Sequence, residues 1–177
     1  MEKQSIILMS CDHFEKDVTD SIVEDIAREF HYPVIFKEYD FDISKFYYPA
    51  SRQYDANKIL KTVREMSSPG SVKKIGLFKV DLFIPILTYI FGQAILNGDT
   101  GIVSLYRLRN ELYGLEQSNT ILNERLRKVI IHETGHMFGL IHCQNPVCVM
   151  RSSTYVEDID QKNNNLCIRC RTKIGIS

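Results

Sequence analysis

One short segment of the chain holds three histidines and a glutamate at a spacing that suits a zinc ion. His132 and His136 are four residues apart, so on a helix both imidazoles project from nearly the same side and can bind one metal ion. Glu133 follows the first histidine and can act on water bound to that metal. Gly139 tolerates a positive φ and can turn the chain so that His142 returns as a third ligand. This pattern favours a metal site over a chance string of surface histidines.

Four cysteines follow the third histidine in two close pairs, Cys143 with Cys148 and Cys167 with Cys170. Thiolates at this spacing suit a tetrahedral four-sulfur zinc site, which is closed and therefore structural. Two disulfides are the competing account, and unpaired thiols are a third. We expect no secretory signal at the N-terminus, and disulfides are rare in reducing compartments, so zinc is favoured. The fifth cysteine, Cys11, ends an apolar run and is predicted to be a small buried side chain.

The histidine motif, followed by the two cysteine pairs with Met150 between those pairs, resembles the pattern of the archaemetzincins, a branch of the metzincin zinc peptidases. The similarity extends to residues 91–108 and 52–56. The resemblance implies a methionine floor under the ligand histidines, the Met-turn, for which Met150 is the matching residue. It also implies two zinc ions, a catalytic one on His132, His136 and His142 and a structural one on Cys143, Cys148, Cys167 and Cys170.

Bulk composition narrows the partners of the protein. The chain has 177 residues, 44% of them hydrophobic, which suffices for one domain with its own core. Lys and Arg total 22, as do Asp and Glu, so the chain has no excess of positive charge that would favour binding to nucleic acid. The longest apolar stretch, around residues 80–94, contains Asp81 and Pro85 and is too short to span a bilayer. We therefore expect a cytoplasmic monomer whose partner is a peptide or protein substrate, not nucleic acid or a membrane.

The elements that must position the motifs alternate between strands and helices. Apolar runs and four-residue periodicity predict three strands and two helices in the first half: strands at 5–10, 33–39 and 74–83, helices at 14–31 and 56–66. Asp55 is expected to cap the second helix, and residues 41–54 are expected to form a loop. This alternation predicts a mostly parallel sheet.

The second half is predicted to complete the sheet and to carry the histidines. Residues 91–96 and 101–108 are joined by turn formers and should pair antiparallel, with 91–97 at an edge where a peptide can add as a strand. A helix from about Thr120 should carry the histidine motif, and a short helix is expected near residues 160–173.

These elements predict an α/β (α+β) chain with a compact metzincin-like zincin fold. It would contain a mixed, mostly parallel twisted sheet with an antiparallel edge strand, and a long active-site helix. We expect a single domain in which residues 1–142 form an N-terminal subdomain and residues 143–177 a small C-terminal subdomain. The C-terminal subdomain would hold the Met-turn, the four-cysteine site and a helix.

The predicted chemistry is hydrolysis of peptide bonds by a zinc metallopeptidase. Glu133 would be the general base that takes a proton from zinc-bound water and passes it to the leaving amine. Tyr155 lies five residues after Met150, where approach to the zinc is less favoured than a surface or core role. The ligands leave aminopeptidase and endopeptidase action undecided. The alternative is a zinc-containing peptide- or protein-binding module with little or no turnover, which a fourth protein ligand on the catalytic zinc would produce.

Overall fold

A computed structural model describes residues 4–176 of the chain, which form nine strands and five α-helices. The strands are β1 Ser5–Ser10, β2 Val34–Glu38, β3 Tyr47–Tyr48, β4 Gln53–Asp55, β5 Ser71–Phe78, β6 Leu82–Ile84, β7 Leu87–Ile90, β8 Gly92–Ala94 and β9 Thr100–Ser104. The helices are α1 Lys16–Phe30, α2 Ala56–Glu65, α3 Asn119–Met137, α4 Val156–Asp160 and α5 Ile168–Lys173.

The main sheet has five strands in the order β2-β1-β5-β9-β8. Neighbouring strands in it are parallel except at one edge, where β8 runs antiparallel to β9. This confirms the predicted mixed sheet with an antiparallel edge strand. The predicted strand 101–108 ends early, at Ser104, because the Ser104 hydroxyl accepts the Tyr106 N–H at 3.0 Å and the chain turns into a 3-10 helix.

A second, four-stranded sheet was not predicted. Its order is β3-β4-β6-β7, and it uses part of the segment that was expected to be a loop, so that prediction was wrong for residues 47–48 and 53–54. The predicted strand 74–83 is also divided, because the chain leaves the main sheet after Phe78 and pairs with β4 from Leu82 onward. Strands of two or three residues carry too little hydrophobic alternation to be recognised in a sequence.

Local capping explains where two of the helices begin. The Asp55 carboxylate accepts the Lys58 N–H at 3.2 Å and caps α2, as predicted, and Ser118 caps α3 in the same way. The predicted helix at 160–173 was wrong in its first half, where residues 161–167 separate α4 from α5. The backbone of that segment is bound elsewhere, since Asn163 N donates to Val147 O and Leu166 N to the Glu29 carboxylate.

The main sheet separates two hydrophobic cores. Alternate residues of β1 point to opposite sides, with Ile6 and Leu8 in one core and Ile7 and Met9 in the other. The first core joins α1 and α3 to the C-terminal segment, and the second joins α2 to the small sheet. Helix α3 packs on β9 and on the edge strand β8, so its C-terminal turns lie beside that edge. Within residues 4–176, every helix is too short or too polar to cross a membrane.

Candidate active site

The last turns of α3 and the loop after it bring the three motif histidines together. The Nε2 atoms of His132 and His136 are 3.0 Å apart. The His142 ring lies 5.3 Å from the first ring and 5.0 Å from the second, between ring centroids. Gly139, at φ 92°, makes the turn after the helix, and Leu140 N then donates to Gly135 O at 2.9 Å. One ligand nitrogen from each histidine lies within 4.8 Å of the others.

Hydrogen bonds on the far side of two rings determine which nitrogens can bind a metal. His132 Nδ1 lies 2.8 Å from Val149 O, and His136 Nδ1 lies 2.7 Å from Leu140 O. A carbonyl only accepts, so each Nδ1 carries the hydrogen and each Nε2 of a neutral ring is a bare acceptor. Burial lowers the pKa of His132 to about 3 and also lowers the pKa of His136, so both rings are neutral. Two bare nitrogens at this distance repel each other unless they share a cation. Zinc, which imidazole nitrogens bind at about 2.0–2.1 Å, fits this donor set.

Glu133 lies between the histidine helix and the edge strand. Its side chain touches β8 so closely that a Cβ added at Gly92 would lie 2.8 Å from Glu133 Cγ and 2.9 Å from Oε1. Burial raises the pKa of Glu133 to about 8, while the Lys162 ammonium acts in the opposite direction. The result is a buried carboxyl group, beside three histidines, that can hold or release a proton near neutral pH.

A cleft of about 530 Å³ runs past the histidines and Glu133. Strands β7 and β8 form one wall, while α3 and residues 152–155 contribute to the other. Tyr89 joins the two walls because its hydroxyl donates to Thr154 O at 2.9 Å. Tyr155 is among the residues that line the cleft, and 63% of its surface is exposed. Glu133 is the one acidic residue among the described residues that line the cleft.

The four motif cysteines form a separate cluster at the start of α5. The Sγ atoms of Cys143 and Cys167 are 3.7 Å apart, and those of Cys148 and Cys170 are 3.8 Å apart. These distances exclude disulfide bonds, which are about 2.05 Å long. Four sulfurs placed tetrahedrally about 2.3 Å from a zinc ion would lie about 3.8 Å from one another. The cluster therefore fits a four-sulfur zinc site. Cys11 lies elsewhere and is half-buried, and burial raises its pKa to about 11.

Met150 connects the two clusters. Its carbonyl accepts the N–H of Cys143 at 2.9 Å, and its sulfur packs on α3 at Gly135, where an added Cβ would overlap it. It thus packs against the histidine helix. Gly92 and Lys162 were not among the predicted site residues. A glycine inside a strand is a sequence signal of close backbone approach, but nothing local marks Lys162.

Comparison with known proteins gives a consistent result over nearly the whole chain. A profile of peptidase family M54 matches residues 1–175. The archaemetzincin of Methanocaldococcus jannaschii is 34% identical over 172 residues, which cover 96% of this chain and 94% of that protein. The crystal structure of archaemetzincin from Methanopyrus kandleri superposes with a TM-score of 0.84 at 29% identity, covering 98% of this chain and 94% of that one. A zinc-dependent peptidase from Methanocorpusculum labreanum gives 0.86 at 26% identity, covering 97% and 100%.

Proposed function

Because the chain belongs to peptidase family M54 with the archaemetzincins, and is therefore a zinc metallopeptidase, we propose that it cleaves peptide bonds at the histidine cluster with Glu133 as general base. One observation carries this proposal. Three neutral histidines converge beside a buried carboxyl group in a cleft large enough for a peptide segment.

Two zinc ions belong to the proposal. His132, His136 and His142 would hold the catalytic ion, and the four-cysteine cluster would hold the structural one. When bound, the catalytic zinc supplies a Lewis acid that polarises the scissile carbonyl and lowers the pKa of water. Among the described residues, the histidine cluster contains three histidines and no further Cys, Asp, Glu or His ligand, which supports an enzyme rather than a closed binding module.

Glu133 would transfer the proton during the reaction. Its carboxylate takes a proton from the attacking water and then donates that proton to the leaving amine nitrogen. Burial suits it to this role, because a carboxylate whose pKa is raised has a stronger affinity for the proton that it must take from water. The free side of edge strand β8 would align the substrate, since an extended peptide can add to it as a further strand.

The composition of the cleft favours cutting within a chain over trimming N-termini. An aminopeptidase needs an anionic group to anchor the free amine, and Glu133 is the one acidic residue among the described residues that line the cleft. Since Glu133 is assigned to proton transfer, we propose endopeptidase action.

We also propose that the protein is cytoplasmic, because a reducing compartment suits four thiol ligands. We propose that it is a monomer, and that its single domain is divided into subdomains 1–142 and 143–177.

The first experiment is digestion of a diverse peptide library, read by mass spectrometry, with protein shown to contain two zinc ions. We expect internal cleavage products, and we expect Glu133→Ala to reduce turnover by about 10²–10⁴-fold with both zinc ions retained. Glu124→Ala, on the exposed side of the same helix, is the matched control and should cleave like the parent. Retained turnover in Glu133→Ala would refute the assignment of the base. Absence of products from fully metallated protein would favour the binding module.

A further inference from the structure

Lys162 is a buried cation in the segment between α4 and α5, and only 6% of its surface is exposed. Its Nζ donates to the carbonyl oxygens of Val149, at 3.4 Å, and Arg151, which lie on either side of Met150. Among the ion pairs of the described residues, none includes Lys162. Burying an ammonium without a carboxylate partner is costly, and such costs are typically tolerated at functional sites.

The carbonyls that Lys162 binds also serve the two metal clusters. Val149 O accepts from His132 Nδ1 at 2.8 Å, so one oxygen is shared by the first histidine and the lysine. The next carbonyl, that of Met150, accepts from Cys143 N. Three successive carbonyls of this turn therefore receive hydrogen bonds from His132, Cys143 and Lys162, and the lysine binds the outer two.

We infer that Lys162 is a positioning residue of the active site, which holds the Met-turn against His132. This inference rests on the proposed function of the histidine cluster. Two observations support it. Lys162 binds the carbonyl oxygen of Val149 that also accepts from His132, and both residues line the same cleft.

The chain offers a matched control for this role. Lys74 on β5 is also buried, with 6% of its surface exposed, and it is not among the described residues that line the cleft. Its Nζ donates to the carbonyls of Arg64 and Met66, each at 2.7 Å, and not to the Met-turn. Replacing either lysine with methionine removes one buried ammonium and leaves a side chain of similar length. A difference between the two variants therefore reports the contact with the Met-turn.

The test measures kcat and KM with a peptide that the parent protein cleaves. It also measures the zinc affinity of the histidine site by chelator competition. Both measurements use protein that keeps the zinc ion of its four-cysteine site. For Lys162→Met we expect kcat to fall about 100-fold with KM within about threefold, and zinc affinity to fall about 10–100-fold. Lys162→Arg, which keeps the charge and the donors, should recover about tenfold of the lost kcat. Lys74→Met should stay within about threefold of the parent in both measurements.

Two outcomes would overturn the inference. One is that Lys162→Met keeps kcat and zinc affinity within about threefold of the parent, and the other is that Lys74→Met loses as much of both. Should Lys162→Met not fold, Lys162→Gln replaces it under the same limits. Zinc affinity is measured whether or not peptides are cleaved. Failure of the proposed function, seen as no products from the parent protein, is therefore distinguishable from failure of this inference.

Discussion

The histidine cluster and the cysteine cluster meet at adjacent residues, His142 and Cys143, yet they differ in every property that matters for chemistry. The histidine cluster has three ligands that line a cleft beside a buried carboxyl group. The cysteine cluster has four ligands, and its cysteines are not among the described residues that line the cleft. Four ligands complete the tetrahedral shell of zinc, whereas three leave a position for substrate. This difference supports the proposal that the reaction takes place at the histidine cluster and that the cysteine cluster is structural.

The two clusters are also mechanically linked. Cys143 donates to the Met150 carbonyl, and the preceding carbonyl, of Val149, binds His132. A structural ion on the cysteines would restrain the segment that carries the third histidine. We therefore expect the two clusters to depend on each other unequally. Loss of the cysteine site should weaken zinc binding at the histidine site, but loss of the histidine site should leave the cysteine site intact.

The largest effect is expected from Cys167→Ser combined with Cys170→Ser. Structural zinc sites contribute about 10–16 kcal/mol in zinc-finger peptides, and we expect a loss on the order of 5 kcal/mol here because this domain has its own core. Zinc affinity at the histidines should fall at least about tenfold, and turnover should fall with it. Thermal unfolding, zinc content and chelator competition measure these effects. An unchanged affinity at the histidines would show that the clusters are independent.

The control for that prediction is His136→Ala. It removes a ligand of the proposed catalytic ion but leaves the cysteines intact. We expect one zinc ion per chain, no peptide cleavage and a melting temperature within a few degrees of the parent. A loss of both ions would contradict the asymmetry.

A smaller effect is expected from Gly92→Ala. This variant tests the contact between edge strand β8 and Glu133 and leaves the cysteine cluster unchanged. The added Cβ would lie 2.8 Å from Glu133 Cγ and 2.9 Å from Ile102 O, so the glutamate must move. Misplacement of a catalytic group by about 1 Å can cost 10²-fold, and we expect turnover to fall about 10–100-fold with two zinc ions retained. Overpacking should cost about 1–3 kcal/mol of stability. Kinetics and chemical denaturation provide the two measurements.

Gly101→Ala on the adjacent strand is the matched control. The Cβ added there would meet its nearest neighbour, the Ala94 Cβ, at 3.4 Å, which is ordinary packing contact. Its turnover should remain close to that of the parent. If both glycine variants lose turnover equally, the contact with Glu133 is not the cause.

The smallest effect on turnover is expected from Glu29→Gln, which tests how the cysteine segment is held. Glu29 is buried on α1, and its carboxylate accepts from Leu166 N at 2.8 Å, from Asn165 Nδ2 at 2.9 Å and from Arg171 Nη2 at 2.8 Å. Glutamine would turn an amide donor toward these donors. We expect a loss of about 1.5–3 kcal/mol in the free energy of unfolding, since hydrogen bonds to a charged group are disrupted.

Turnover of Glu29→Gln should stay within about threefold of the parent, because the histidine site is not contacted. Denaturant unfolding and steady-state kinetics measure the two quantities. Glu24→Gln, at an exposed position of the same helix, should change neither. A stability equal to that of the parent would mean that the Glu29 contacts do not hold the cysteine segment.

Sequence reasoning was most successful where spacing along the chain decides the structure. Four residues separate two histidines on any α-helix, a glycine permits the turn after it, and a capping aspartate begins a helix locally. The predicted parallel strands and the antiparallel edge were confirmed for the same reason, since each came from a hydrophobic run with clear ends. The failures were the short strands near residues 47–55, the division of the strand at 74–83 and the first half of the helix at 160–173. These features depend on hydrogen bonds with distant segments.

The amino-acid sequence by itself thus determined the family, the mixed sheet and the residues proposed as metal ligands, because those features depend on residue type and local periodicity. Tertiary structure alone decided what surrounds them. The carbonyls of Val149 and Leu140 orient two histidines, Gly92 brings the edge strand against Glu133, and Lys162 binds on both sides of Met150. Most of these contacts join residues far apart in the chain, so their distances are set by how the sheet and helices pack and not by sequence spacing.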